Sequence, residues 1–446
     1  MSQILFEIFI DGLAREVRRA NQGVKILDLK INILLFADDI ILLGSSRQEL
    51  QKLLDIVSCY SEKWKFAFNG NKSKVVVFGT QAVSRERYFL GFQQLEVVNQ
   101  FKYLGVDFKN NFSWKDHKNR IGKKAHSRVA GINKVVAEGL TIEAGEKLWT
   151  SMIRPILEYG AEVWGGGRWI EAEQIMRKVG KTLLGLPRTA NNEVVQGELG
   201  WWSMESRRDL LRLKYWGRVL NMPLERLPRQ VYESSRKITE NLPGSWTHTT
   251  KSLLINLNLT AAWHHQKVGD MKDWTVLVKQ CLKDRESREW KSSILTKSKL
   301  KLYSVLKTKL VREDYLDFDS PKSYRTLVTQ FRCGSNELRL DMGRRKKENR
   351  NDRLCLMCVT GKVEDEKHVL LECYIYSEFR DKLFDDVRLL TGYDFRRMED
   401  DPLWIIETLL GEGLLREKDR RVVNRSVGSF LAKSMKLRNQ TLVSIR

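Results

Sequence analysis

The chain has 446 residues, 42% of them hydrophobic, with 78 Lys and Arg against 56 Asp and Glu and a formal net charge of +22. That length and apolar content allow two to four packed domains and exclude global disorder. Six cysteines in so long a chain exclude a disulfide scaffold. The charge favours a polyanionic partner, because neutralising phosphates releases counterions; a merely solvated basic surface is the alternative.

The N-terminal stretch carries Glu7 and Asp11 among its apolar residues, so a secretory leader is not expected. Ile4, Leu5, Ile8, Leu13 and Val17 suit one face of an amphipathic helix. The most apolar stretch, Ile31–Leu43, is broken by Asp38 and Asp39 and is too short to span a bilayer. No transmembrane segment and no membrane partner are expected, and the cysteine usage is that of an intracellular protein.

Two β-rich apolar runs, INILLFA and IILLG, flank the two aspartates, which predicts a hairpin with carboxylates at its turn. Ser46 followed by Glu49 reads as a capping box. The helix it opens places Leu50, Leu53, Leu54, Val57 and Trp64 on one face, with Cys59 near it as a buried small hydrophobe. KVVVFG (Lys74–Gly79) and FKYLGVDF (Phe101–Phe108) read as further strands. From about residue 109 the periodicity is helical. Residues 109–134 hold eight basic residues and one acidic, Asp116. Pro223, Pro228 and Pro243 mark a boundary between 222 and 250. Trp201, Trp202, Tyr215 and Trp216 read as core aromatics rather than base-stacking platforms.

Two constellations carry chemistry. Adjacent carboxylates at a rigid, exposed tip repel one another unless a cation sits there, and Mg²⁺ suits carboxylate and phosphate oxygens. An ordinary acidic turn is the competing reading. Cys355-x2-Cys358-x9-His368-x4-Cys373 offers four Zn²⁺ ligands in a closed tetrahedral set, which leaves no open catalytic position. The competing reading is four unrelated buried side chains.

The context of the aspartates adds to this. LLFADDIILL resembles motif C of the reverse transcriptases of non-LTR, LINE-type retrotransposons. Phe66–Gly79 resembles motif D, with Asn69, Lys72, Ser73 and Lys74 on matching places and Gly70 where the family has proline. FKYLGVDF resembles the motif E hairpin that grips the primer, and SQILFEIFIDGL resembles the helix that ends motif B. Two later segments, LWTSMIRPILEYGAEVWG and ELGWWSMESRRDLLRLKYWGRVL, resemble the helical region after the palm, and the Cys–His spacing resembles the family's downstream CCHC motif.

The resemblance implies an α+β fold: a partial palm over 1–108, a helical thumb-like region over 109–245, a helical connector over 246–340, a basic segment with a CCHC zinc module over 341–380, and a helical tail over 381–446. It implies RNA-directed DNA polymerase chemistry on an RNA or DNA template–primer. Asp38 would be a Mg²⁺ ligand, Asp39 its less essential neighbour, and Lys72 a general acid or electrostatic stabiliser of the leaving pyrophosphate. From charge alone, Lys72 is equally a solvated loop lysine. Lys109, Lys115, Lys118, Arg120, Lys123, Lys124 and Arg128 would contact the nucleic-acid backbone. Arg344, Arg345, Lys346 and Lys347 would do the same, or direct the protein to the nucleus.

The family's site also needs an aspartate from motif A, upstream of motif C, and no counterpart is found. The chain is therefore expected to begin inside motif B and to be inactive alone. The rivals are a domesticated nucleic-acid-binding zinc protein without catalysis, and an active enzyme whose upstream half lies outside this sequence.

Overall fold

The computed structural model describes residues 3–79, 85–137, 139, 141–398, 401–411 and 415–444. The chain divides into two compact units, each assembled from separated stretches. The first holds residues 1–123, 160–166 and 211–277; the second holds 124–159, 167–210 and 278–446.

The first unit opens with helix α1 (Gln3–Arg19), then strands β1 (Val24–Ile26), β2 (Leu29–Ile31), β3 (Ile33–Phe36) and β4 (Asp39–Leu42), and helix α2 (Arg47–Trp64). Ile10, Leu13 and Val17 from α1 meet Leu53, Val57 and Tyr60 from α2, with Ile33 of β3 between them. The i, i+4, i+7 spacing of the α2 residues makes this one face of a helix.

Ser46 caps α2 as its sequence predicts, its hydroxyl accepting the Glu49 N–H at 3.2 Å. The Glu49 carboxylate, however, turns to the N–H groups of Ser45 (2.9 Å) and Gly23 (3.4 Å), which ties β1 to the helix start. Two expectations on α2 need correction. Cys59 is exposed, because Tyr60 occupies the core-facing position and the residue before it points about 100° away. Trp64 lies past the buried face, half exposed, its ring edge-on to Phe9 at 5.8 Å.

After α2 come β5 (Lys74–Val75), β6 (Tyr88–Leu90) and β7 (Gln93–Val97), in the order β5-β7-β6. Only Lys74 and Val75 of KVVVFG join this sheet, paired parallel with Glu96 and Val97. β8 (Gln100–Tyr103) and β9 (Val106–Lys109) form a separate hairpin, and helix α3 (Lys115–Ala137) follows. FKYLGVDF is therefore a hairpin, the form that its resemblance to motif E implies, rather than the one strand read from its apolar residues. Leu104 (φ 44°) and Gly105 (φ 84°) make its turn, the pair of positive φ values that a tight hairpin of the right twist requires. Elsewhere in this unit Trp216 is fully buried, donates its indole N–H to the Tyr232 hydroxyl (2.9 Å), and packs against Trp263 and Trp274.

The second unit is helical. Its core draws on Val194, Val195, Leu199, Tyr303, Phe331, Val369, Leu370, Tyr376, Leu383, Leu409, Val427 and Leu431. The 28-residue helix Glu417–Ser444 packs against the helices Lys322–Arg332 and Ser377–Thr391. Inside sits an ionic cluster: Arg332 pairs with Glu313 (2.9 Å) and Glu198 (3.3 Å), Lys307 pairs with Glu313, and the Tyr315 hydroxyl donates to Glu198 (2.6 Å). Buried charges need such mutual satisfaction. Trp201 stacks on Trp149 at 5.3 Å and donates to Glu146 (2.8 Å), a structural role for that aromatic. Among the described residues, no helix is long and apolar enough to cross a membrane.

Candidate metal centres

The acidic turn belongs to the first unit. Residues Ile33–Phe36 pair antiparallel with Asp39–Leu42, and Phe36 stands opposite Asp39. Ala37 and Asp38 thus form a two-residue turn. Ala37 takes a positive φ of 51°, a conformation that costs an L-residue roughly 1–2 kcal/mol. Leu35, Ile40 and Leu42 press the hairpin onto the α1–α2 core, and the buried Asn32 side chain donates to the Val17 carbonyl (2.8 Å). The strands are anchored while Asp38 and Asp39 stay exposed at the tip. Burial first, and the Asp39 carboxylate second, push the Tyr103 phenol up.

Lys72 is exposed in a turn whose backbone N–H bonds back to the Asn69 carbonyl (3.0 Å). Among the described residues, no hydrogen bond or ion pair joins Lys72 to either aspartate. Asp11 pairs with Arg15 on α1 (2.6 Å). Mg²⁺ suits the turn's oxygen donors, but among the described residues no third metal-ligating side chain gathers with Asp38 and Asp39.

The basic residues from the end of β9 onward divide into two kinds. Lys109 pairs with Asp116 (2.5 Å). Arg120 donates its Nε–H to Asp107 Oδ2 (2.6 Å) and an Nη2–H to the Gly105 carbonyl (2.9 Å). His117 Nδ1 lies 3.1 Å from the same carboxylate oxygen. Burial pushes Asp107 up, but the hydrogen bonds from Arg120 and His117 outweigh it and hold the carboxyl below its ordinary value. Arg120 thus clamps the hairpin turn to α3. Lys115, Lys123, Lys124 and Arg128 lie exposed along α3, and Lys118 is half-buried. In the second unit, Arg344 and Arg345 both pair with the buried Asp341, while Lys346 and Lys347 are exposed.

The cysteine–histidine group lies in the second unit. One ligand atom from each of Cys355, Cys358, His368 and Cys373 falls within 4.8 Å of the others, and all four residues are buried. Leu354 bridges to Val363, and the Cys355 N–H bonds the Lys362 carbonyl (2.9 Å), closing a knuckle that sets the first two thiols side by side. The second pair rides on a π-turn, His368–Glu372, in which the Cys373 N–H bonds the His368 carbonyl at 2.7 Å. On an α-helix, residues five apart face about 140° away from each other at 100° per residue. The wider i→i+5 turn brings them toward one side. Arg380 secures this turn by donating to the carbonyls of Leu370 (2.9 Å) and Cys373 (2.6 Å).

The donor chemistry fits a soft divalent cation. The hydrogen bond with Cys373, followed by burial, pushes Cys355 up to about 12, and the same bond lowers Cys373. The hydrogen bond with Cys355 is the main cause that raises His368 to about 9. Three sulfurs and one nitrogen at this separation match a structural zinc set.

Residues 1–108 match the family described as reverse transcriptase, RNA-dependent DNA polymerase. The chain is also 26% identical over 138 residues to the RNA-directed DNA polymerase from mobile element jockey of Drosophila melanogaster, covering 29% of this chain and 15% of that protein. Residues 1–108 thus resemble reverse transcriptases. The jockey polymerase of Drosophila funebris is 24% identical over 169 residues, covering 36% of this chain and 18% of that protein. A Pol polyprotein from type-1 retrotransposable element R1 2 of Nasonia vitripennis is 24% identical over 225 residues, covering 45% of this chain and 52% of that protein. The chain thus spans between about a seventh and about half of these relatives. Within the reverse-transcriptase segment lie the acidic hairpin, Lys72 and the β8–β9 hairpin; the Cys₃His group lies outside it.

The residues that hold these sites in place were not singled out from the sequence. Glu372, four residues after His368 on the same turn, carries a local signal that could have been read. Asp107 with Arg120, and Glu364 with Arg438, have none, because their partners are distant in the chain.

Proposed function

We propose that this chain is the part of a retrotransposon RNA-directed DNA polymerase that carries the metal-binding turn and holds the template–primer, and that it does not extend a primer unaided. The observation that carries this reading is the rigid Asp38–Asp39 hairpin inside the matched segment. On this reading Asp38 supplies an oxygen ligand to Mg²⁺, and Lys72 neutralises or protonates the departing pyrophosphate. The exposed lysines of α3 hold the nucleic-acid backbone. Two-metal transfer requires more carboxylate than the described residues gather at the turn, which supports inactivity of the isolated chain. The test is primer extension on an RNA template with Mg²⁺. No extension is expected; robust synthesis abolished by Asp38→Ala would overturn the inactive reading.

We further infer that Cys355, Cys358, His368 and Cys373 hold structural Zn²⁺. Metal analysis of the purified chain is expected to find one zinc per molecule, lost in Cys355→Ser. Metal-free protein with all its cysteines reduced would sink this assignment.

A further inference from the structure

We propose that Glu372 is the positioning residue of the metal centre, fixing the tautomer and ring direction of His368; this rests on the zinc reading above. The two ring nitrogens of His368 face different partners. Nε2 points into the thiol group, 3.4 Å from Cys358 Sγ. Nδ1 points outward, 3.5 Å from Glu372 Oε2. His368 is buried, so no solvent competes for Nδ1.

A neutral imidazole has one N–H and one lone pair. A carboxylate beside Nδ1 holds the proton there and leaves the Nε2 lone pair for the metal. A hydrogen bond of this kind also makes the coordinating nitrogen more basic. The carboxylate is itself held in place: Lys362 Nζ and Lys367 Nζ each lie 3.1 Å from one of its oxygens. Lys362 comes from the knuckle and Lys367 from the residue before His368. Glu372 therefore joins both halves of the ligand set as well as orienting one ligand. The π-turn makes this possible, because it carries His368, Glu372 and then Cys373 in a single widened turn.

The test uses the full chain, loaded with Zn²⁺ or with Co²⁺ as a spectroscopic stand-in. Affinity is read by chelator competition, and the ligand set by the cobalt thiolate charge-transfer and tetrahedral bands. Glu372→Ala is expected to weaken zinc binding by about 10–100-fold while keeping the cobalt spectrum of three sulfurs and one nitrogen. Glu372→Gln keeps an acceptor without the charge, so its affinity is expected to fall between Glu372→Ala and the parent. Affinity of Glu372→Ala within twofold of the parent would overturn the proposal and leave the zinc reading standing. A misfolded Glu372→Ala beside a Glu372→Gln that binds like the parent would also overturn it, marking the residue as scaffold only. A parent chain that takes up neither metal would sink the zinc reading itself.

Discussion

Arg438 and Glu364 are 74 residues apart in sequence, yet they form the contact that binds the metal knuckle to the helix Glu417–Ser444. Glu364 is fully buried. It accepts from Arg438 Nε (2.7 Å) and Nη2 (2.8 Å), and from the Arg339 backbone N–H (2.7 Å). Arg438→Met keeps much of the aliphatic volume and removes two charge-assisted hydrogen bonds. Such bonds contribute about 1.5–3 kcal/mol each. Removing one partner of a buried pair costs about 3–5 kcal/mol, because the other charge stays buried and unpaired. Taking about 3 kcal/mol as the lower figure, opening becomes roughly 150-fold more frequent at 1.4 kcal/mol per tenfold. Native-state hydrogen exchange reads this directly at the N–H groups of Cys355, Glu364 and Leu340, which bond across the knuckle. The double variant Glu364→Leu/Arg438→Met should recover much of the loss, since an apolar pair leaves no orphaned charge. If Arg438→Met changes exchange at these amides less than about fivefold, under 1 kcal/mol, the contact does not hold the knuckle and the reasoning fails.

Acid should loosen the first unit. Burial lowers His117 below its ordinary 6.5, so the unfolded chain takes up a proton that the folded chain refuses, and stability falls as pH drops below about 6.5. Asp107, held below 3.8, adds a second loss of the same sign at lower pH; thermal melts of His117→Gln should lose the first slope and keep the second. Ala37→Gly relieves the left-handed strain at the acidic turn and should raise stability by up to about 1 kcal/mol, whereas Ala37→Val should lower it. Lys123→Ala and Lys124→Ala should each reduce the salt slope of RNA binding by about 1 without shifting the melting temperature. Arg120→Ala should do the reverse, lowering stability through Asp107 and Gly105, and an unchanged melt for that variant would contradict the clamp.

What the sequence disclosed follows the range of the forces involved. The acidic hairpin was legible because short apolar β-rich runs and turn chemistry act within about ten residues, and the Cys₃His group because its ligands lie within nineteen. The Ser46 cap was legible for the same reason, while the second half of the capping box was not: Glu49 found Ser45 and Gly23, a choice made by the packing of β1. Periodicity placed Leu53, Leu54 and Val57 in the core but misjudged Cys59 and Trp64, whose exposure depends on Tyr60 and Phe9 filling the available space. The run Arg344–Lys347 reads as a free basic patch until Asp341, buried nearby, engages two of its four charges. Lys307, Glu313, Arg332 and Glu198 read as ordinary surface charges in sequence. Only the fold brings them into one buried network.

The π-turn at His368–Glu372 has a consequence for how this module tolerates change in length. A regular α-helix of the same length would give this stretch better-aligned backbone bonds but would turn Cys373 about 140° from His368. Deleting one residue between them other than Glu372 would leave the two ligands four apart, on one face of a regular helix, whereas inserting one would set them six apart and about 120° from each other. The module should therefore tolerate a one-residue deletion here better than an insertion, since the π-turn already absorbs one residue more than a regular helix would.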